Sequence, residues 1–307
     1  MTDGPRLRVS TFAGAASLPL YAAKERGYFA AAGIDVELVK ARDSAELMAG
    51  LVEGDFEIVH AAPDNFVAWR DRTHADIVAW IGGASGPLVL AGASEIRRVA
   101  DLRGREIAID APQSGFVSVL RRMLRDGGVD PADVRLVPVG ATDLRLEALQ
   151  SGRVVATLLT LPWLLTALDD GFVIVAEQSQ VVPRLQGSCG ASLRGWLATH
   201  VGPADAYLRA VVAALTWLYL PASRDAVRRL IRDRFGIDDR HAEAVCNAIL
   251  DPVTGWPPSA RIDPVGMDLV CALRLESDRP AEEPPETYYT LEPYIRVLGS
   301  GLLGSPL

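Results

Sequence analysis

Strand-like and helix-like segments alternate at the start of the chain. Strand-like segments at 7–12, 35–39 and 56–61 are separated by helix-like segments at 18–27 and 44–54. Alternating strands and helices with short connections are typical of a parallel sheet covered by helices on both faces. This part of the chain therefore predicts a βαβαβ unit of the α/β class.

The same order of segments returns between residues 105 and 161. Strand-like segments at 105–110, 134–139 and 154–161 are separated by helix-like segments at 116–126 and 143–152. Residues 45–54, a strand and Pro63 also align with residues 144–152, a strand and Pro162. A repeat on this scale predicts two similar lobes rather than a solenoid. The later segments 204–219, 223–235 and 240–250 have apolar residues at helical spacing.

Two segments rich in chain breakers lie between and after these halves, at residues 82–87 and 183–190. Such clusters are usually surface loops. Their position beside two similar halves favours a hinge instead. We predict that Ser85 and the residues from Gln186 to Cys189 lie at this hinge and face a cleft between the lobes.

The composition argues against nucleic acids and membranes as partners. The 307 residues contain 31 Lys and Arg against 39 Asp and Glu, a formal net charge of -8, which repels phosphate backbones. The longest apolar runs, 154–168 and 210–222, each contain a proline and fall short of the roughly 20 residues that cross a bilayer. Residues 275–292 contain six acidic residues and one arginine, which predicts a solvated arm.

The cysteines, the histidines and the first residues give weaker signals. Cys189, Cys246 and Cys271 show no C-x-x-C spacing and predict reduced thiols. The four histidines are scattered, and we expect neither a metal nor another cofactor. The residues before the first strand leave no room for an export leader. The sequence as written therefore predicts a cytosolic protein, with a periplasmic location as the alternative if a leader was removed.

Several motifs resemble those of type II periplasmic substrate-binding proteins. Residues 18–29 read Leu-Pro-Leu-Tyr-Ala-Ala-Lys-Glu-Arg-Gly-Tyr-Phe and are followed by Ala-Gly-Ile-Asp-Val-Glu-Leu at 32–38. The resemblance extends to three further segments, at residues 54–58, 101–108 and 270–274. The chain is most similar to the branch with alkanesulfonate, taurine, bicarbonate and nitrate receptors and the thiamine-pyrimidine synthases of fungi.

The resemblance implies a two-lobed α/β fold with a ligand cleft between the lobes. Each lobe is then a mixed, mostly parallel sheet flanked by helices. Residues 1–86 and 187–307 form a discontinuous lobe I, and residues 87–186 form lobe II. Periodicity alone does not show that the chain returns to its first lobe.

Four loops follow strands at the edge where open α/β sheets bind ligands. In the loop at 11–17, small residues allow a ligand to approach the backbone closely. The N-terminus of the helix that follows favours a negative group on that ligand. Ser17 is alternatively an ordinary N-cap. In the loop at 60–65, His60 could donate to a carboxylate or sulfonate, or serve only structurally. Asp64 could pair with a cationic nitrogen or cap the next helix.

The other two loops lie in the second half. Ser114 and the backbone N–H groups of Gly115 and Phe116 open a helix in a manner suited to an anion. Trp163 could form an aromatic wall or belong to the core. The ligand-binding residues predicted from the loops and hinge are Thr11, Phe12, Ser17, His60, Asp64, Asn65, Ser85, Gln113, Ser114, Gly115, Phe116, Thr160, Trp163 and Cys189.

These features favour binding over catalysis. We expect a hinge-closing binder of a small organic solute with an anionic group, which serves the permease and ATPase of an ABC importer if it is exported. The alternative is a ligand sensor or a cytosolic lyase or decarboxylase without a cofactor, with His60 or Asp64 as the general acid or base.

The motifs of two specific enzyme classes are incomplete in this sequence. Pro87 replaces the last glycine of a Gly-x-Ser-x-Gly serine-hydrolase elbow at 83–87. Ala61 and Asn65 stand where the resemblance to the pyrimidine synthases implies a lysine and a histidine. Only Cys189 stands where their cysteine-rich run would lie.

Overall fold

The structure is a computed structural model that describes residues 4–275 and 281–299. It contains two five-stranded sheets. The first consists of β1 (Arg6–Thr11), β2 (Asp35–Lys40), β3 (Ile58–Ala61), β4 (Ile77–Gly82) and β10 (Cys189–Leu193). The second consists of β5 (Val89–Gly92), β6 (Glu106–Ile109), β7 (Arg135–Pro138), β8 (Ala156–Leu159) and β9 (Val173–Glu177). The predicted strands are therefore confirmed, with ends that differ by up to two residues.

Each sheet is mostly parallel with one antiparallel insertion. The strand orders are β2-β1-β3-β10-β4 and β7-β6-β8-β5-β9. β10 runs antiparallel to β3 and β4, and β5 runs antiparallel to β8 and β9. Strands β3, β4, β5 and β8 are buried along their whole length, as expected for sheets covered on both faces. The predicted two-lobed α/β fold is confirmed.

Fourteen helices flank the sheets in the part of the chain that the structure describes. They are α1 (Leu18–Glu25), α2 (Tyr28–Ala31), α3 (Ser44–Glu53), α4 (Pro63–Thr73), α5 (Gly115–Asp126), α6 (Thr142–Gln150), α7 (Trp163–Asp169), α8 (Gln178–Val181), α9 (Arg194–Thr199), α10 (Val201–Tyr219), α11 (Arg224–Phe235), α12 (Asp239–Ile249), α13 (Pro264–Leu275) and α14 (Glu292–Leu298). None of the helices described is long and apolar enough to span a bilayer.

The two crossovers between the sheets lie side by side. The Ser188 N–H donates to the Ala84 carbonyl (2.9 Å), and Ser85 Oγ donates to the Leu185 carbonyl (2.8 Å). A side chain at Gly187 would collide with the Ala84 carbonyl. The boundaries predicted at 86/87 and 186/187 fall inside these crossovers, and they stay a prediction.

The acidic segment near the C-terminus is not simply a solvated arm. Residues 276–280 lie outside the described residues. Beyond them, Tyr288 is fully buried and its hydroxyl donates to Asp71 (2.8 Å), while the Thr290 N–H donates to the Ala79 carbonyl (2.8 Å). The prediction is therefore wrong at this point, because buried aromatic surface outweighs the acidic composition.

Candidate functional site

A cavity of about 120 Å³ lies between the two sheets. We call it the main cavity. Its walls come from the loops after β1, β3, β6 and β8, from both crossovers, from the start of α6 and from the end of α12. Most residues predicted to bind a ligand line it, namely Thr11, Phe12, Ser17, His60, Asn65, Ser85, Ser114, Phe116 and Thr160. Their role in binding stays a prediction.

The loop after β1 is held in shape by its own hydroxyl groups. Thr11 Oγ1 and Ser17 Oγ lie 2.6 Å apart, and Ser17 Oγ donates to the Phe12 carbonyl (2.8 Å). Ser17 precedes α1 without capping it through its side chain. At the start of α3, Asp43 rather than the adjacent Ser44 is the cap, because its side chain accepts from the Glu46 N–H (2.8 Å).

His60 forms a buried, uncharged part of the cavity wall. Its Nε2 lies 3.0 Å from the hydroxyl of Tyr207, and its Nδ1 is buried without a hydrogen-bond partner. Burial lowers the pKa of His60 to about 3 because the imidazolium form would lose its hydration. His60 is therefore neutral near pH 7 and can serve as a hydrogen-bonding group rather than as a cation.

The buried state of His60 should make stability depend on pH. Below pH 6.5 the unfolded chain takes up a proton at His60 while the folded chain does not, so this histidine lowers the free energy of unfolding by about 1.4 kcal/mol per pH unit towards pH 3. We expect His60→Gln to gain about 2 kcal/mol relative to wild type between pH 6.5 and about pH 5. Urea unfolding at both pH values measures this difference.

The exposed His200 gives the matched control, because His200→Gln makes the same replacement away from the core. We expect this control to keep the wild-type pH dependence. Equal pH dependence in wild type and His60→Gln would contradict the burial of an uncharged His60.

Asp64 does not face the main cavity. It lines a smaller neighbouring cavity of about 30 Å³, the second cavity, which lies beyond Phe116 and is bounded also by Leu185, Val270 and Leu273. Its carboxylate accepts from Arg274 Nη1 (2.9 Å) and from Ser118 Oγ (3.1 Å). Burial raises the pKa of Asp64, and the Arg274 guanidinium opposes this shift.

The predicted roles of Asp64 therefore need correction. Its cationic partner is Arg274 of the chain itself, so the expected pairing with a cationic ligand nitrogen is wrong. Asp64 and His60, the two alternatives for a general acid or base, line different cavities.

The loop after β6 contributes fewer ligand-binding groups than predicted. The Gly115 N–H donates to Asn65 Oδ1 (3.0 Å) across the cleft, so it is already used by the protein. Gln113 is exposed and accepts from Arg72 Nη1 (2.8 Å), outside both cavities. Of the residues predicted in this loop to bind a ligand, Ser114 and Phe116 line the main cavity.

Three further predicted residues, outside the main cavity, are buried or form hydrogen bonds within the protein. Trp163 does not line the main cavity, and its Nε1 donates to the Ala13 carbonyl (3.2 Å). Cys189 is fully buried within β10, where burial raises the pKa of its thiol. Gln186 borders the second cavity, and its Oε1 accepts from the Asp263 N–H (2.7 Å).

Sequence reasoning missed two charged residues on the wall of the main cavity, Arg145 and Asp110. Arg145 of α6 is 2% exposed and donates to the carbonyls of Gly140 (2.8 Å) and Leu158 (3.1 Å), and burial lowers its pKa to about 10. It therefore stays charged at neutral pH. Asp110 also lines the cavity, and its charge opposes the shift. Helical periodicity could have identified Arg145, because this residue shares the buried face of α6 with Ala148 and Leu149.

The loops of the two sheets contact each other around the main cavity. The Ala15 N–H donates to the Leu161 carbonyl (3.0 Å), and the Ala141 N–H donates to the Arg42 carbonyl (2.9 Å). Together with the Asn65–Gly115 hydrogen bond, these contacts close the cleft over the cavity. Among the described residues, no group of three or more His, Cys, Asp and Glu side chains could hold a metal ion.

Comparisons with known proteins agree with this architecture. The family model described as NMT1/THI5 like matches residues 15–230. A protein of Bordetella bronchiseptica RB50 shares 20% identity at a TM-score of 0.83, with 95% of this chain and 96% of that chain covered. No curated protein sequence matches the chain.

Two further similar structures have described ligands. The alkanesulfonate-binding protein SsuA from Xanthomonas axonopodis pv. citri, bound to MOPS, shares 20% identity at a TM-score of 0.72, with coverage of 91% and 97%. The periplasmic nitrate-binding protein NrtA from Synechocystis PCC 6803 shares 13% identity at a TM-score of 0.79, with coverage of 99% and 90%. At these identities the likeness shows the fold.

Proposed function

Because the chain belongs to the NMT1/THI5-like family, we propose that it binds a small organic solute with one anionic group in the main cavity. The observation that carries this proposal is the position of the cavity. It lies between two sheets and is walled by loops from both of them. A solute held there contacts both lobes and stabilises the closed arrangement over the open one.

The size of the main cavity supports a compact solute. Its volume of about 120 Å³ is somewhat below the roughly 150 Å³ of an engineered cavity that holds benzene. A solute, or the part of one, with roughly five or six non-hydrogen atoms fits such a space.

The charges around the main cavity support an anionic group. Arg145 carries a positive charge, and α5 and α6 begin at the cavity, so the positive ends of their dipoles lie beside it. The opposing charge of Asp110 is partly compensated, because its carboxylate accepts from the Ser44 N–H at the start of α3 (3.2 Å). His60 adds no charge of its own.

Thermal denaturation with a panel of short sulfonates and carboxylates tests the proposal, with each acid measured beside its neutral sulfonamide or amide. A cognate anion should stabilise the protein by about 2.7 kcal/mol at a hundredfold excess over its dissociation constant. The neutral analogues should give clearly smaller shifts. No stabilisation by any anion, or equal stabilisation by the neutral analogues, would contradict an anion site.

The partners and the location of the protein are part of the same proposal. If the chain is exported, it delivers its solute to the permease and ATPase of an ABC importer. The similar nitrate-binding structure, described as periplasmic, supports this extension. Fractionation of cells that express the native gene should then place the protein outside the cytosol. Recovery from the cytosol alone would contradict the importer role and would agree with the location expected from the sequence.

A further inference from the structure

The main and second cavities are neighbours that share part of their lining. Both are lined by Ala62, Ser85, Leu88, Phe116 and Gly187. Of these residues, Phe116 has the largest side chain. Its ring therefore forms the bulkiest part of the wall between the two spaces.

The backbone that carries Phe116 is held firmly in place. Phe116 follows Gly115, whose N–H donates to Asn65 Oδ1 across the cleft (3.0 Å). A Cβ at Gly115 would lie only 2.9 Å from Asp64 Cβ and 3.2 Å from Ala62 Cβ, so α5 begins in close contact with α4. The start of α5 cannot shift towards α4 to move the ring.

The second cavity is suited to an apolar group rather than to a charged one. Val119, Leu185, Val270 and Leu273 contribute apolar side chains to its wall. Its polar neighbours already have partners within the protein, as described for Asp64 with Ser118 and for Gln186 with Asp263. An ion placed there would lose its hydration without gaining a free partner.

Building on the proposed function, we propose that Phe116 sets the length of the solute. The anionic group lies in the main cavity, and the apolar part of the solute ends against the Phe116 ring. Removing this ring joins the two cavities and lets a longer apolar chain extend towards Val270 and Leu273.

Calorimetric titration with unbranched alkanesulfonates of one to about eight carbons tests this inference. Wild type should bind short members and lose affinity once the chain reaches the Phe116 ring. Phe116→Ala should move the optimum to longer chains, with roughly a threefold to fourfold gain for each additional methylene that it accommodates. Phe116→Leu keeps a smaller side chain in place and should give an intermediate optimum.

A second measurement locates the added chain. The double variant Phe116→Ala with Val119→Leu narrows the second cavity again and should lose part of the gain for long sulfonates. The inference is overturned if wild type binds short sulfonates and Phe116→Ala keeps the same optimum, and the proposed function then still stands. If wild type binds no member of the series or of the wider panel, the proposed function itself fails.

Discussion

Arg274→Met is expected to lower the free energy of unfolding by about 3–5 kcal/mol, because it removes the cation that faces a buried carboxylate. Arg274 Nη1 lies 2.9 Å from Asp64 Oδ1, and both side chains are more than nine-tenths buried. Ser118 Oγ remains as a donor to Asp64, but a neutral hydroxyl cannot replace a guanidinium. Urea unfolding at neutral pH measures the loss.

The pH dependence of this loss gives an independent check. Burial already raises the pKa of Asp64, and removal of Arg274 raises it further because the opposing positive charge is gone. At low pH, Asp64 of the variant takes up a proton and the buried charge disappears. The difference between Arg274→Met and wild type should therefore grow as the pH rises and shrink as it falls.

Two further variants serve as controls. Asp64→Asn combined with Arg274→Met removes both charges and should recover about 2 kcal/mol relative to the sum of the single changes. Arg209→Met replaces an exposed arginine of α10 and should change stability by no more than about 0.5 kcal/mol. A cost below about 1 kcal/mol for Arg274→Met would contradict the importance of the buried pair.

Gly115→Ala is expected to weaken solute binding by about 10-fold to 100-fold without destabilising the protein in the absence of solute. The added Cβ would lie 2.9 Å from Asp64 Cβ and 3.2 Å from Ala62 Cβ, on the opposite side of the cleft. The position of a Cβ atom is fixed by the backbone, so these two atoms cannot rotate away from the added methyl group. The added methyl group therefore opposes closure, while in an open protein it meets no such obstacle.

Titration with the tightest-binding anion of the panel measures this effect, and small-angle scattering with and without the anion reports closure. Gly195→Ala is the matched control, since a Cβ at Gly195 in α9 meets no atom within 4 Å. Its affinity should stay that of wild type. If the affinity of Gly115→Ala for the anion lies within about threefold of the wild-type affinity, the contact between α4 and α5 does not control closure.

Much of the fold follows from local sequence patterns. The alternation of strands and helices predicts most strands of both sheets, because the periods of apolar residues differ between the two structures. The position of β10 in the first sheet does not follow from local patterns. Cys189 pairs with Ala61, more than a hundred residues earlier, and local periodicity holds no information on such a pairing. The resemblance to binding proteins supplied the return of the chain, and the sheet order confirms the two-lobed fold that it implied.

Sequence patterns identify residues that line the main cavity where loops follow parallel strands, but they do not show which side chains interact across the cleft. Thr11, His60 and Ser114 line the main cavity because strand ends in parallel sheets share one edge. The partnership of Asp64 with Arg274 depends on how α13 packs against α4. The same type of long-range contact joins Trp163 to the Ala13 carbonyl, and Trp163 does not line the main cavity.

A crystal structure with the tightest-binding anion of the panel would show whether the solute binds between the two sheets. We expect the solute in the main cavity, in contact with Thr11 from one sheet and Ser114 from the other, with its anionic group nearer to Arg145 than to His60. A solute bound at the outer surface, with the main cavity unoccupied at saturating concentration, would contradict the proposed function.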